Sequence, residues 1–440
     1  MKKVAFYTLG CKVNQYETEA ISELFMNNGY EIVDFEGFAD VYVINTCTVT
    51  NLSDRKSRQM IRRAKKNNGD SIVVVIGCYA QTSPDEVLSI PEVNLVIGTK
   101  DKGRIIENIN MLEEGKNKVN LVQDIMKTRE FEELGVEVYK ERTRAFIKIQ
   151  EGCSQFCSYC IIPYARGPIR SRPVEYILDE VNKLALNGYK EIVLTGIHLA
   201  SYGKDIKNTS LVDIIKKVHD IDGIERIRLG SIEPTTINSE FVSEISNLKK
   251  VCPHFHISLQ SGCDSTLKRM NRRYTTLEYR ESIELLRSSI KDVAVTTDVM
   301  VGFPGETDEE FNETVKFLEE ISFATMHVFK YSQRKGTPAA GFSNQVAPDK
   351  KEERSNILLE MSSRKAKEFN KSFEGKTMEV LFEQEVKTEN GVIEGLTPNY
   401  IRVLCKGELN LNGQILKVKL NQAFEDYIEG QIENDSNNLR

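Results

Sequence analysis

Tryptophan is absent from this chain of 440 residues, histidine occurs only 5 times, and long apolar segments are missing. The longest apolar run, near residues 72–78, is far short of the roughly 20 residues that a membrane-spanning helix needs. An apolar signal segment is also missing at the N-terminus, where Lys12 and Asn14 interrupt the sequence. We therefore expect a cytoplasmic protein with no membrane partner.

An excess of positive charge is missing as well. The 59 Lys and Arg residues are outnumbered by 65 Asp and Glu residues, which gives a net charge of −6. This balance excludes a uniformly basic nucleic-acid-binding protein but leaves room for local basic patches. The composition is that of a globular protein, with 40% hydrophobic residues, and the length suggests about three domains.

Cysteine is the residue that carries the strongest signal. The 9 cysteines are an odd number, and in a reducing cytoplasm cysteines more often bind metals or react than form disulfides. Cys153, Cys157 and Cys160 lie in the segment EGCSQFCSYCIIPYARG with C-x3-C-x2-C spacing. Soft thiolates select zinc, copper(I) or iron–sulfur clusters, and structural zinc normally has four protein ligands. No nearby Cys or His supplies a fourth ligand, so this loop suits a cubane cluster with one open iron.

A second group of cysteines lies in the N-terminal third, which alternates strand-like and helix-like segments. This alternation favours an open, mostly parallel α/β sheet. Cys11, Cys47 and Cys78 each follow one of the first three predicted strands, at the sheet edge where parallel α/β proteins bind ligands. Packing alone explains a single buried cysteine well, but three at one edge favour a second cluster site. The predicted strands are 4–9, 41–45, 71–76 and 93–97, and the predicted helices are 18–27 and 53–66.

The remaining chain divides into two further domains. Six βα units in about 200 residues predict an open partial barrel rather than the eight units of a full α/β barrel. Beyond the charged helix that starts near residue 348, five short strands with period-two alternation predict a small β-barrel. The predicted boundaries are 1–115 for the first domain, 116–140 for a linker, 141–372 for the partial barrel and 373–438 for the β-barrel.

Polar residues and glycines at the strand ends of the partial barrel are candidate ligand contacts, because glycine lets a ligand approach the backbone closely. His254 and His256 alternate along one strand, and we expect both to be structural. The candidate ligand contacts are Gly196, Glu233, Gln260 and Gly302.

Basic residues near the mouth of the partial barrel suit an anionic polymer such as RNA, although solvated surface charge is the alternative for each. The same two interpretations apply to the basic helix predicted at 53–66. The candidate RNA contacts near the barrel mouth are Arg166, Arg170, Arg172, Lys268, Arg269, Arg272 and Arg273.

The motifs around the six cysteines resemble those of a known family. CSQFCSYC is similar to the radical S-adenosylmethionine signature, and TLGCKVNQYETE, INTCTVT and IGCYAQ resemble the methylthiotransferase family. The C-terminal strands resemble the TRAM domain of that family, so the resemblance covers essentially the whole chain. Within the family, TLGCKVNQYETEA most resembles the branch that acts on N6-threonylcarbamoyladenosine beside the tRNA anticodon.

The resemblance implies two 4Fe-4S clusters and S-adenosylmethionine as cofactors. Cys153, Cys157 and Cys160 would hold the cluster that cleaves S-adenosylmethionine, and Cys11, Cys47 and Cys78 the cluster that donates sulfur. Gly196, Glu233, Gln260 and Gly302 become candidate S-adenosylmethionine contacts. The implied partners are the tRNA anticodon stem-loop and an electron donor such as flavodoxin or ferredoxin, and we expect a monomer.

Three alternatives remain open from the sequence. Sister branches of the family modify isopentenyladenosine in tRNA or an aspartate of a ribosomal protein. A zinc-stabilised RNA-binding module without catalysis would use the same thiols as structural ligands. A redox-sensing structural protein with labile thiols would not cleave S-adenosylmethionine.

Overall fold

A six-stranded, all-parallel sheet forms the first part of the chain, in the spatial order β2-β1-β3-β4-β5-β6. The two central strands, Val41–Thr46 and Ile72–Gly77, are buried on both faces, which explains their continuous apolar sequences. The elements are β1 Lys3–Thr8, α1 Lys12–Asn27, β2 Glu31–Val33, β3 Val41–Thr46, α2 Asn51–Asn67, β4 Ile72–Gly77, α3 Cys78–Thr82, α4 Pro84–Leu88, β5 Leu95–Val96, α5 Ile105–Glu113 and β6 Val119–Asn120.

The sheet confirms the predicted α/β class and contains two short strands, β2 and β6, that periodicity did not predict. The computed structural model describes residues 1–113, 118–136, 143–386, 391–407 and 409–433. Parts of the predicted linker therefore lie outside the described residues, and the domain boundaries stay predictions. Within the described ranges, no helix is both long enough and apolar enough to cross a membrane.

Six parallel strands form the partial barrel of the central part of the chain. They pair as β10-β9-β7 and β11-β12-β13, and the isolated parallel bridges Ile227–Val251 and Ile232–Ile257 join the two groups. A two-residue strand, β8, adds antiparallel to β7. The elements are β7 Arg144–Glu151, α6 Ile162–Arg166, β8 Arg170–Ser171, α7 Val174–Leu186, β9 Glu191–Gly196, α8 Leu211–His219, β10 Arg226–Leu229, α9 Ser239–Ser246, β11 His254–His256, α10 Asp264–Arg269, α11 Thr276–Ser289, β12 Ala294–Val301, α12 Asp308–Ile321, β13 Thr325–Lys330 and α13 Pro348–Lys371.

Five strands close into a barrel at the C-terminal end, in the order β14-β15-β16-β18-β17. Its core is apolar and includes Val380, Phe382 and Ile393, and its closure leaves no exposed sheet edge. The predicted five-stranded β-barrel is confirmed. The strands are β14 Thr377–Glu385, β15 Val392–Leu396, β16 Arg402–Lys406, β17 Ile415–Ala423 and β18 Ile428–Ile432.

The C-terminal barrel contacts the amino ends of the central strands, and α2 of the first domain contacts the region beyond their carboxyl ends. Tyr400 of the C-terminal barrel stacks on His254 with ring centroids 4.5 Å apart, at the amino ends of the central strands. At the other end, Arg334 Nη2 lies 2.6 Å from Asp54 Oδ2 in α2 of the first domain. The carboxyl ends of both parallel sheets therefore face each other, which places the two cysteine groups on the same side of the molecule.

Candidate active site

The first cysteine loop leaves β7 through a glycine that cannot be replaced without strain. Gly152 has φ +73°, and a Cβ at this position would lie 1.9 Å from the carbonyl oxygen of Pro168. The Cys153 N–H donates to the Gly167 carbonyl at 3.0 Å, which folds the loop back onto the segment that follows α6. The loop conformation is thus built by backbone contacts on both sides of the three cysteines.

The three thiols of this loop are free and lie around one space. Burial raises the pKa of Cys153 to about 11 and that of Cys160 to about 12, and the neighbouring thiols add to both shifts. A nearby cation is available in Arg272, whose Nη1 lies 3.4 Å from Cys157 Sγ. Three converging soft donors need a metal cation to become thiolates together, so the donor set fits an iron–sulfur cluster.

The second group of cysteines converges as the strand-end positions predict. Cys11 is the N-cap of α1, Cys47 follows β3 and Cys78 begins α3 directly after β4. A Cβ added at Gly10, which has φ +105°, would lie 2.9 Å from Cys47 Cβ, so glycine permits the close approach of these two loops. Burial, helped by the nearby thiols of Cys47 and Cys11, outweighs the positive charge of Arg166 and raises the pKa of Cys78 to about 12. This donor set also fits a cluster with three protein ligands.

A buried guanidinium joins the two cysteine groups. Arg166, the last residue of α6, donates from Nε to Cys78 Sγ at 3.2 Å and from Nη1 to Glu17 Oε1 at 2.6 Å. Its Nη2 donates to Asn14 Oδ1 at 2.5 Å. Burial alone would raise the pKa of Glu17, but Arg166 and neighbouring lysines outweigh it and hold the pKa well below its usual range. The Arg166 side chain therefore couples the first cysteine loop to the N-terminal domain.

The burial of three arginines corrects part of the RNA prediction. Arg166, Arg170 and Arg172 are all at most 2% exposed, and each has internal partners. Arg172 pairs with Glu133 and Glu180. Arg166 donates to the Cys78 thiol and to the Glu17 carboxylate, and Arg170 donates to the Pro168 carbonyl. These side chains are bound to internal partners and do not face solvent, so the prediction of direct RNA contact is wrong for all three.

The second basic segment divides between interior and surface. Arg272 is turned toward Cys157 and Glu233, and Arg269 is tied to Glu310 with Nη1 2.8 Å from Oε1. Lys268 and Arg273 are exposed and remain candidates for RNA contact. The exposed face of α2 adds further positive charge at Arg55, Lys56, Arg62, Arg63 and Lys66.

A cavity of about 350 Å³ lies beside the first cysteine loop and extends to the loop that follows Cys47. The first loop contributes Cys153, Cys157 and Cys160 to its wall, and the N-terminal domain contributes Val49 and Thr50, which closely follow Cys47. Strand-end residues close the remaining sides, including Ile197, Glu233, Gln260, Asp298 and Met300.

Two of the four candidate S-adenosylmethionine contacts line this cavity, Glu233 and Gln260. The other two do not. A Cβ at Gly196 would meet Gln150 at 2.9 Å, and one at Gly302 would meet Lys351 at 2.3 Å, so both glycines serve internal packing instead. Gly196 and Gly302 do not line the cavity. Residues close to them in the chain, Ile197 and Met300, line it instead.

Glu233 is the principal anionic group of the cavity. Its carboxylate lies 3.2 Å from His198 Nε2 and 3.0 Å from Arg272 Nη2. Burial alone would raise the pKa of Glu233, but His198 and Arg272 outweigh it and keep the pKa below its usual range. The cavity therefore holds a permanent carboxylate beside the first cysteine loop, which suits a ligand with cationic or hydroxyl groups.

A partial barrel with three cysteines on the loop after its first strand defines a radical S-adenosylmethionine enzyme. Residues 147–318 match the Radical SAM superfamily, and residues 3–98 match the Uncharacterized protein family UPF0004. The chain belongs to the radical S-adenosylmethionine methylthiotransferase family, because relatives from that family align with almost its entire length.

The relatives are named as enzymes that modify adenosine derivatives in tRNA. The threonylcarbamoyladenosine tRNA methylthiotransferase MtaB of Bacillus subtilis is 47% identical over 435 residues, 98% of this chain and 96% of the relative. The protein of the same name from Aquifex aeolicus is 41% identical over 94% of this chain and 99% of its own length. A tRNA-2-methylthio-N(6)-dimethylallyladenosine synthase of Pelotomaculum thermopropionicum is 36% identical over 98% of this chain and 97% of the relative.

Solved structures support the fold. The radical S-adenosylmethionine methyltransferase TsrM of Kitasatospora setae matches with a TM-score of 0.57 over 77% of each chain. At 16% identity this similarity speaks only for the architecture.

Proposed function

We propose that this chain is a tRNA methylthiotransferase that converts N6-threonylcarbamoyladenosine beside the anticodon to its 2-methylthio derivative. The carrying observation is one cavity that is lined by Cys153, Cys157 and Cys160 and also by Val49 and Thr50, which closely follow Cys47 of the second cysteine group. A substrate base in that cavity would lie against the first cysteine loop and close to the loop that carries Cys47. The 47% identity to the Bacillus subtilis enzyme over nearly the whole chain favours this substrate over isopentenyladenosine.

The residues of the site form two cluster-binding sites and one cavity wall that binds the substrates. Cys153, Cys157 and Cys160 would hold the cluster that works with S-adenosylmethionine. Cys11, Cys47 and Cys78 would hold the second cluster. When bound, these groups supply radical chemistry able to activate an inert C–H bond, and sulfur for insertion.

The cavity walls position the substrates and exclude water. Glu233 offers a fixed carboxylate to the cationic and hydroxyl groups of S-adenosylmethionine, and Gln260 offers an amide on the same wall. Apolar side chains from two loops and a strand, Ile161, Ile197 and Met300, line the cavity and would shield the reacting carbon from solvent. Dry surroundings protect a reactive carbon centre from side reactions.

The tRNA would approach from the side that carries the exposed positive charge. Lys268 and Arg273 flank the first cysteine loop through the contact of Asn271 Nδ2 with the Phe156 carbonyl at 3.0 Å. Phe156 and Tyr164 are each 39% exposed and make an edge-to-face pair, which provides an aromatic surface for an unstacked base. A flavodoxin or ferredoxin as electron donor, a monomeric state and a cytoplasmic location complete the proposal.

Mass spectrometry of tRNA nucleosides from a strain that lacks the gene tests the substrate directly. We expect loss of the 2-methylthio derivative and accumulation of N6-threonylcarbamoyladenosine, restored by the wild-type gene and not by a Cys157→Ala variant. Loss of the methylthio mark on isopentenyladenosine would instead favour the sister branch. An unchanged nucleoside profile with an altered ribosomal protein would overturn a tRNA substrate altogether.

Metal content separates the enzyme from a zinc-stabilised module. Anaerobically purified and reconstituted protein is expected to be brown with about 8 iron per chain, four for each cubane. Colourless protein with bound zinc and no iron would support the non-catalytic alternative.

A further inference from the structure

Two imidazoles and one carboxylate meet inside the partial barrel, outside both cysteine groups. His256, Asp298 and His327 each offer one ligand atom, and these three atoms lie within 4.8 Å of one another. His256 Nε2 is 3.1 Å from Asp298 Oδ2, and His327 Nδ1 is 3.3 Å from Asp298 Oδ1. The cluster was not apparent from the sequence, where His256 was expected to be structural and the three residues are spread over 72 positions.

The strand register explains why these side chains converge. In the parallel β11–β12 pair, His256 is the partner of Thr296, and in the β12–β13 pair Asp298 is the partner of His327. Thr296 and Asp298 are two residues apart and therefore project from the same face of β12. Three adjacent strands thus present one ligand each to the same space.

The geometry matches a tetrahedral transition-metal site. With metal–ligand bonds of about 2.0–2.1 Å, neighbouring ligands at a tetrahedral centre are about 3.3–3.4 Å apart. The two contacts to Asp298, 3.1 Å to Oδ2 and 3.3 Å to Oδ1, are close to this separation, and because they use different oxygens the carboxylate would bind through both oxygens or turn slightly to bind through one. Two imidazoles with one carboxylate form a ligand set that borderline ions such as Zn²⁺ and Fe²⁺ favour, and it leaves coordination positions open.

A second observation supports ligation by His256. Its other ring nitrogen, Nδ1, lies 3.0 Å from Thr296 Oγ1. An outer partner of this kind fixes the ring orientation and the tautomer, as is usual for histidines that bind metals through the opposite nitrogen. The Asp298 carboxylate also lines the cavity beside the first cysteine loop. An ion bound here would lie next to that cavity, with Asp298 shared between the ion and the cavity wall.

We propose that His256, Asp298 and His327 form a binding site for one divalent transition-metal ion of the Zn²⁺ class, separate from the two iron–sulfur clusters. This site adds a third metal position to the chain and does not depend on which nucleoside is modified. The competing explanation is a metal-free cluster in which Asp298 contacts the two imidazoles directly.

The test is a titration with Zn²⁺ as the only added metal. The sample is the holoenzyme, with both clusters reconstituted and adventitious metal removed. Loaded clusters occupy the six cysteine ligands, so zinc K-edge X-ray absorption reports the remaining site. We expect one equivalent of zinc with a first shell of nitrogen and oxygen near 2.0–2.1 Å. Sulfur neighbours near 2.3 Å would place the zinc on cysteines and overturn the proposal.

Substitutions make the test specific. His327 is exposed, with 61% of its side chain accessible, so His327→Ala is expected to fold normally and to weaken zinc binding at least ten-fold, on the scale of losses at metal sites. The control is His219→Ala, which removes a partly buried histidine that also lies beside an aspartate, with Nδ1 3.6 Å from Asp220 Oδ1.

The outcomes are distinct from those of the proposed function. Unchanged zinc affinity in His327→Ala, or no saturable zinc binding by the holoenzyme, would support the metal-free cluster and overturn the site. Either result would leave the methylthiotransferase proposal intact, because that proposal is tested by nucleoside analysis.

Discussion

Arg166 donates a hydrogen bond to the sulfur of Cys78 across the boundary between the partial barrel and the N-terminal domain, with Nε 3.2 Å from Sγ. The same guanidinium is held by Glu17 and by Asn14, one helical turn apart on α1. The arginine follows Cys160 by six residues, so one side chain ties the two cysteine groups into a fixed relative position. A cavity that must be reached from both groups needs this fixed geometry.

Two substitutions of Arg166 test separately the effect of its charge and the effect of its hydrogen bond to sulfur. Arg166→Lys keeps a positive charge between the acidic side chains but loses the planar donor that reaches Cys78. Because hydrogen bonds to ligating sulfurs raise cluster potentials, we expect the midpoint potential of the second cluster to become more negative. The potential of the Cys153 cluster should stay unchanged. Redox titration followed by electron paramagnetic resonance measures both, and equal potentials in variant and wild type would contradict the expectation.

Removing the charge of Arg166 should be much more damaging. Arg166→Met leaves Glu17 and Glu151 buried without this partner, although Lys148 still lies 3.1 Å from Glu17 Oε1 and 3.0 Å from Glu151 Oε2. Losing one partner of a buried ion pair typically costs about 3–5 kcal/mol. Chemical denaturation should show a loss of this order, and a loss below about 1 kcal/mol would show that the remaining lysines suffice.

The two cysteine groups are expected to fail in different ways. Cys157→Ala should abolish formation of 5′-deoxyadenosine from S-adenosylmethionine after reduction. Cys47→Ala should keep that cleavage and lose methylthio product, because only the second cluster is disrupted. Each variant should retain about four iron. Cleavage retained in Cys157→Ala would exclude the assignment of the first loop, and normal product from Cys47→Ala would exclude the second.

The exposed members of the basic segment should bind tRNA electrostatically. We expect the double variant Lys268→Ala/Arg273→Ala to weaken tRNA binding and to reduce the slope of log affinity against log salt by about 1.5, since each lost phosphate contact contributes about 0.7–0.9. Lys249→Ala/Lys291→Ala is a matched control, because both lysines are exposed and precede strands at the opposite end of the barrel. An equal slope change in the two double variants would argue against a localised surface.

The cysteine positions could be predicted because strand ends are local features. Cys11, Cys47 and Cys78 each lie within three residues of the end of a strand that the apolar pattern marks. The parallel topology then brings these ends together. The six-strand barrel and the C-terminal barrel follow from the same periodicities, and both are confirmed by the observed sheets.

The arginines could not be assigned from sequence, because their burial depends on distant partners. Arg166 is 149 residues from Glu17 and 152 from Asn14, and no local pattern announces those contacts. A basic residue after a cysteine loop was therefore interpreted as surface charge. One sequence feature indicates the buried contact. Asn14 and Glu17 are three residues apart on α1, so they lie on the same face of the helix, near the end that begins at Cys11. When a helix face that packs against the rest of the protein carries polar residues, those residues need a buried polar or charged partner.

Glu191 is the first residue of β9, at the amino end of the barrel, and is fully buried. Its Oε1 accepts from Arg228 Nε at 2.7 Å, and Arg144 and Arg226 lie within 4.0 Å. Burial alone would raise the pKa of Glu191, but the charge of the arginines outweighs it and lowers the pKa. The carboxylate is therefore a charged part of the folded barrel, next to the contact with the C-terminal domain.

Its depressed pKa has a definite consequence for stability. A carboxyl group whose pKa is lower in the folded state stabilises the fold at pH values above its unfolded pKa of about 4.3. That contribution is lost as the pH falls through this value toward the folded pKa. We therefore expect the stability advantage of the wild type over Glu191→Gln to be largest near neutral pH, at about 3–5 kcal/mol, and to shrink below pH about 4.5.

Urea unfolding followed by circular dichroism between pH 3.5 and 7 measures this difference. Glu107→Gln is the control, because Glu107 is exposed and its pairing with Arg104 is screened by solvent. The control should follow the wild-type pH profile with little change. If the difference between wild type and Glu191→Gln stayed constant down to pH 3.5, Glu191 would not gain a proton on unfolding, and the arginines around it would hold the barrel end without its charge.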